Sequence, residues 1–457
     1  MWRLLVAGLV VLPLGTAAAQ RPAAKGECIL DIENVDRQGV RVVTDSGVNY
    51  FAGGNIRISC RGMNVHMNSD SVAAYAGRTV QFIGHVHYVD STVTMTADRG
   101  TYYKDGERWA ARGNVVTTNL KTGSTLRGPS LDYLRPVAGV RDTLEMYAIG
   151  RPRISYAVTD SAGAPAEPYR IVADRVRMKG DDRVWAGGQV TIDRSDFAAR
   201  GDSLRLFTGP AGDGTLLGGP PELRGMSKDT FNLHGKRIDF TLADRELTGV
   251  TAKSEAEATT ADRKLVADTI HIDVDHGKLT GTVAWGRQTR PHATATDYDV
   301  RADSLILETP GQQLRHMLGI GDGWLATRPD SVTGQRDWMA GDTVQAFFDP
   351  RDSLPPAPSD SAAADSAAGG VVLQRMTAAG HARAFHASAN EKTPDRPSLN
   401  YVRGDQIVIT MVPGTDQTID RVSASGHVEG MQLEPSSGQS TTAPAAPSPG
   451  QPRVKPR

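Results

Sequence analysis

The stretch that decides the fold is TADRGTYYKDGERWAARGNVVTTN, Thr96 to Asn119. Ala97-Asp98 stands before one run of alternating residues, and Gly113-Asn114-Val115 stands before the next. Apolar side chains two apart, with polar ones between them, bury one face of a strand and wet the other. The same pair of signals recurs from Gly54 to Gly426.

With Asp98 as anchor, a small residue precedes it and inward residues follow at two and four places. The series is Ser69-Asp70 (Val72, Ala74), Ala97-Asp98 (Gly100, Tyr102), Gly128-Pro129 (Leu131, Tyr133), Ala173-Asp174 (Val176, Met178) and Gly201-Asp202 (Leu204, Leu206). It continues with Gly235-Lys236 (Ile238, Phe240), Ala267-Asp268 (Ile270, Ile272), Ala302-Asp303 (Leu305, Leu307), Gly341-Asp342 (Val344, Ala346) and Gly404-Asp405 (Ile407, Ile409). The anchor is Asp in eight of these ten units, so the recurrence is a pattern and not a coincidence of composition.

A glycine series alternates with it: Gly54, Gly84, Gly113, Gly188, Gly281, Gly380 and Gly426, each followed by side chains of the same parity. Gly150 and Gly219 carry a proline variant, and Gly249 and Gly321 fit weakly. The positions 54, 70, 84, 98, 113 and 129 step by 14 to 16 residues. Such a step holds a strand of about 8–10 residues and a turn, the even rhythm of an all-β array. Small residues and Asp are expected at strand entrances, where Gly supplies positive φ and Asp caps the turn. Each unit cannot bury its apolar face alone and must stack on its neighbours.

Breaks in the rhythm are read as loops. TDSAGAPAEPYR, Thr159 to Arg170, is one; residues 349–370 are a Pro/Ser/Ala/Asp linker expected to be disordered, and 433–457 a Pro-rich tail of the same kind. QQLRHM, Gln312 to Met317, is expected to form one short helix. The resulting division is 1–19 signal peptide, 26–158 first β module, 166–348 second β module, and 371–432 a terminal β segment completing the roll.

The opening MWRLLVAGLVVLPLGTAAAQ has a basic start, an apolar core and a small-residue end, the pattern of a secretory signal cut after Ala19. No later run reaches the ~20 apolar residues of a membrane helix, so an exported, soluble chain is expected. Cys28 and Cys60 would then meet an oxidising compartment and pair; two unrelated buried thiols are the alternative. A net charge of −1 gives no drive toward nucleic acid. Aromatics at 6%, with 48 Gly and 26 Pro, favour short strands and turns over long helices.

Gly113-Asn114-Val115, Ala97-Asp98-Arg99 with Tyr102 and Tyr103 after it, and Gly150-Arg151-Pro152 together resemble the OstA family. IVADRVRMKGDDRVWAGGQVTIDRSDFAARGDSLRL, Ile171 to Leu206, is similar to it over its whole length, and the likeness extends in repeated form from Val48 to Gly430. The family holds LptA-like periplasmic lipopolysaccharide-transport proteins and the N-terminal domain of the translocon LptD. The resemblance implies an antiparallel β-jelly-roll folded like a taco, whose apolar interior carries acyl chains, and modules that join through edge strands. It also implies a Gram-negative periplasm, with association to the outer membrane. This chain is longer than one LptA-like module, so two or more modules or one long roll are expected. The barrel of the translocon is not expected within these 457 residues, so the chain is not expected to be the translocon itself.

The lipid-groove candidates are Val72, Tyr102, Tyr133, Val176, Met178, Leu204, Leu206, Ile238, Phe240, Ile270, Ile272, Leu305, Leu307, Val344, Ile407 and Ile409. The same residues would equally fill a closed core, and periodicity does not separate the two. Edge strands would dock other Lpt-type rolls by strand addition, unless terminal segments cover them.

His85 and His87, with His66 upstream, have a spacing that can chelate a metal, but Val86 takes the inward parity and no carboxylate pair completes the set, so no metal is expected. Asp273 and Asp275 fit strand alternation as well as a hydrolytic pair. Without a nucleophile elbow, P-loop or GxGxxG, neither catalysis nor a cofactor is expected. A lipid carrier is therefore weighed against a structural or adhesive exported β-solenoid without cargo, and against a carbohydrate-active β-helix.

Overall fold

The computed structural model describes residues 28–434, apart from 46, 160–164, 210, 227–229, 245, 297, 330–333, 351–370, 389–396 and 413–418. The signal peptide, nearly all of the linker and the tail from 435 lie outside the described residues. What is described is all-β: thirty strands with antiparallel pairings. A three-residue 3-10 turn, Pro310–Gln312, is the one helical element among the described residues. Two compact units divide the chain. Unit 1 spans Met1–Arg194 and Ser203–Gly209, and unit 2 spans Ser195–Asp202 and Pro210–Arg457. Strand Phe197–Phe207 changes unit between Asp202 and Ser203.

Most long strands are bent in the middle, and the bend is where the two sequence series meet. In Thr79–Val89 the pair Gly84-His85 has φ of 79° and 43°, and it interrupts the ladder with Val93–Tyr103 at Asp98. Two residues face one there, a β-bulge that turns the strand. Gly54-Asn55, Gly113-Asn114, Gly188-Gln189, Gly321-Asp322, Gly380-His381 and Gly426-His427 share the left-handed pair. At each, a side-chain carbon on the glycine would collide with an Asp of a neighbouring segment, for example Gly113 with Asp98 and Gly188 with Asp174.

Asp174, Lys236 and Asp303 do stand directly before a strand, but the other anchors lie inside one and are not strand entrances. Asp98 sits at the midpoint of Val93–Tyr103, and the turns lie elsewhere, at Asp90–Val93 and Lys104–Arg108. Parity along a strand reads the same whether a strand starts or bends at the anchor, which is why alternation alone misplaces it. The small residue before the anchor lies on the inner side of the bend. A side-chain carbon on Gly341 would come within 3.1 Å of the Ala379 and Gly380 carbonyls, and one on Gly404 equally close to those of Ser425 and Gly426.

Each unit thus has two arms joined at the bends. In unit 1 the halves 86–89, 93–97 and 115–119 form the first arm, and 79–83, 99–103 and 108–112 the second. Their apolar faces meet: Tyr88 of the first arm lies 4.9 Å from Trp109 of the second, ring to ring. In unit 2, Tyr298 and Phe348 meet in the same way at 5.8 Å.

Three expectations fail. Within TDSAGAPAEPYR a strand, Pro165–Val172, pairs with Arg153–Thr159 and continues the first arm. Most of QQLRHM is extended, and His316 opens strand His316–Thr327, because Pro310 and Gly311 confine helical geometry to one turn. Gly281 is no bend: Thr282 and Ala284 point inward there, while Trp285 of its own parity is exposed. The residues that meet Asp268 there are Gly286 to Thr289, and the bend against Lys236 is Ser254-Glu255 in place of the weak fit Gly249.

Candidate functional site

The candidate site is the interior between the arms of each unit. Of the sixteen groove candidates, Val72, Tyr102, Tyr133, Val176, Met178, Leu204, Leu206, Ile238, Phe240, Ile270, Ile272, Leu305, Val344, Ile407 and Ile409 are buried, none above 8% exposed. Leu307 is only half-buried, on strand Ser304–Glu308. Ladders bring several together: Ile270 lies across from Ala252 and Ala284, and Ile272 from Val250 and Thr282. Phe240 packs over Gly214, where a side-chain carbon would be 1.9 Å from its ring.

The bends carry polar side chains on their outer side. His85 Nδ1 meets Asp70 Oδ2 at 2.8 Å, Asn114 donates to Asp98 at 2.9 Å, and His381 and His427 meet Asp342 and Asp405 at 3.1 Å. The hydrogen bond to Asp70, aided by the Asp70 charge, raises the His85 pKa from 6.5. At Ser254-Glu255 the polarity is swapped: Lys236 Nζ lies 2.5 Å from Glu255. No group of three or more metal-ligating side chains occurs among the described residues. Asp273 and Asp275 are exposed on the outer face.

Opposite the bends, the arm tips touch along a seam, and its two stretches in unit 1 differ. In the first, Asp90 is buried and accepts the hydroxyls of Tyr88 at 2.9 Å and Tyr133 at 2.8 Å. Burial first, and then the Asp90 charge, push both phenol pKa values up, so these hydroxyls stay protonated donors. Nearby, buried Glu107 pairs with Arg135 at 3.3 Å and accepts from the Cys28 backbone at 2.7 Å. Cys28 is disulfide-bonded to Cys60.

In the second stretch the ion pair is nearer the surface. Asp181, in the turn after Arg175–Lys179, accepts Asn119 Nδ2 at 3.1 Å and pairs with Lys121 Nζ at 3.4 Å. Tyr156 donates to the Asp181 carbonyl and accepts from Thr208 at 2.7 Å. Removing a buried partner such as Asp90 strands two hydroxyls at about 1–3 kcal/mol each. An exposed pair such as Lys121–Asp181 is worth about 0–1 kcal/mol. The side-chain pairs at Asp181 are therefore the weaker ones, and Tyr156 supplies the buried hydroxyl of that stretch.

Behind each stretch lies a small cavity. One of about 20 Å3 is lined by Leu126, Leu144, Met146, Ile154 and Met178 under Asn119, Thr122 and Asp181. One of about 10 Å3 touches Tyr102, Glu107, Tyr133 and Arg135. Each has room for about one water. Sequence reasoning missed the seam partners Asp90, Asn119, Asp181 and Tyr156, because their meeting depends on how far each strand runs beyond its bend.

The terminal strands leave apolar side chains uncovered. At one edge these are Ile32 and Val43 of Leu30–Asn34 and Arg37–Thr44; at the other, Val422, Met431 and Leu433 of Ile419–Ser425 and Glu429–Leu433. Val422 lies across from buried Ile409 and is itself 45% exposed, so among the described residues the apolar face runs out to this edge without a cover.

No family model and no curated protein matches the chain. Among solved structures, the chain is similar to the crystal structure of LptH, the LptA homologous periplasmic component of the conserved lipopolysaccharide transport device from Pseudomonas aeruginosa. The identity is 16%, over 28% of this chain and 94% of that one, with a TM-score of 0.24.

Proposed function

We propose that this is a non-enzymatic periplasmic lipid-binding protein that shields acyl chains of lipopolysaccharide, or of a related envelope lipid, between its arms on the way to the outer membrane. The observation that supports this most is the construction of unit 1. Its two apolar arms are joined along the bends, whereas the opposite seam is held by side-chain contacts at Asp90 and Asp181. Parting the seam at Asp181 breaks no strand ladder and offers two apolar walls to one chain. Each buried CH2 is worth about 0.8 kcal/mol, so a twelve-carbon chain gains about 9–10 kcal/mol from shielding. The uncovered apolar edges are then docking strands for other Lpt-type rolls.

A photo-crosslinker at Ile270 or Leu305, both on the inner face, is expected to capture lipopolysaccharide in cells. Capture from the outward His271 alone, or from no site, overturns the reading. The filled interior favours a second reading, an exported structural or adhesive β-solenoid without lipid cargo. It predicts no capture from any inner position and display outside the envelope on fractionation.

A further inference from the structure

We propose that the seam of unit 1 opens at Asp181, and that an acyl chain enters there onto Leu126, Met146, Ile154 and Met178. The inference rests on the lipid-binding reading and adds the place of entry. Three observations point to this stretch. Its walls are apolar and leave a cavity of about 20 Å3 directly under the surface. Its cover is the tight turn Asn119–Ser124, whose backbone is braced within itself: Asn119 Oδ1 accepts the Lys121 and Thr122 amides, and the Gly123 amide donates to the Asn119 carbonyl. The turn is also tied to its own arm, by the Leu120 amide on the Thr92 carbonyl and the Ala157 amide on Ser124 Oγ, so it moves with that arm. Its side chains reach the other arm at Asp181 through Asn119 and a Lys121 that is 79% exposed.

The other stretch of the same seam is built to stay shut. Asp90, Glu107 and both tyrosines are buried, and the Cys28–Cys60 bridge holds the chain whose amide donates to Glu107. Opening there would put a carboxylate and two phenols into an apolar interior without partners. Opening at Asp181 returns a carboxylate, an ammonium and an amide to water, and parts one phenol, Tyr156, from the Asp181 carbonyl and Thr208, against two phenols and a buried carboxylate in the other stretch. The entering chain meets methionines at two of four wall positions, and their flexible thioethers re-pack around a guest of variable shape.

The test uses the full chain and a dansylated undecanoic acid, whose emission rises on entering an apolar site, read by stopped flow. Asp181→Ala removes the acceptor of both Asn119 and Lys121, and is expected to speed uptake roughly 5–30-fold. Lys121→Ala, at an exposed side chain, is expected to speed it about 2–5-fold and serves if Asp181→Ala does not fold. A photo-crosslinker at Met146 is expected to capture the probe. Unchanged uptake rates, with capture at Ile409 but not at Met146, overturn the entry site and leave lipid binding standing. Absence of uptake and capture at every position overturns lipid binding, and the entry site with it.

Discussion

At the scale of single residues, the bend is a chemical pair: a left-handed dipeptide on one strand and a side chain on the next that answers it. His85 and Asp70 show its dependence on pH. Because Asp70 raises the His85 pKa above 6.5, the pair stabilises the bend fully below pH 6.5 and loses its effect as pH rises through the folded-state pKa. His85 is almost wholly exposed, so the effect is local. The expected outcome is an imidazole titration by NMR with its midpoint above 6.5, falling back toward that value in Asp70→Asn. Much of this pair is written in the sequence, since Asp70 and Gly84 both belong to the recurring series. Its meaning was not legible, because an Asp that caps a turn and an Asp that faces a bulge both look like Ala-Asp before an alternating run. Only the strand pairing tells them apart.

Among elements, the bend converts one strand into two arms, and the glycine makes it possible. Gly113 has φ of 77° and would place a side-chain carbon 2.9 Å from Asp98 Cβ. Gly123 has φ of 78° with open space around it. Gly123→Ala is expected to cost about 1–2 kcal/mol, the backbone strain alone. Gly113→Ala is expected to cost more, about 2–4 kcal/mol, because crowding of a neighbouring strand adds to that strain. Urea denaturation of the two variants separates the terms; equal costs would mean that Asp98 yields freely. Strand identity was legible wherever alternation is clean, as in Val176 and Met178 or Ile407 and Ile409. It failed at Pro165–Val172, where polar and proline residues mask a strand whose core contribution is Tyr169 and Ile171, both fully buried. It failed at Trp285, where a glycine of the right spacing happened not to be a bend.

For the whole molecule, unit 1 is the unit that carries the disulfide. Cys28 and Cys60 are 32 residues apart. In the chain-entropy view, a loop of that size adds about 3–4 kcal/mol by restricting the unfolded chain. Reduction is expected to lower the melting of unit 1 while leaving that of unit 2, which contains no cysteine, in place, so calorimetry of the reduced protein should resolve two transitions. The alternation of bend types also sets how such a chain can change length. Every Asp-bearing strand needs a glycine-bearing neighbour, as Asp98 needs Gly84 and Gly113. Excising one strand would set two identical partners side by side and reverse the path of everything after it. Removing or duplicating a hairpin of two leaves the pairing rule and the direction of travel intact, so homologues of differing size should differ by whole hairpins.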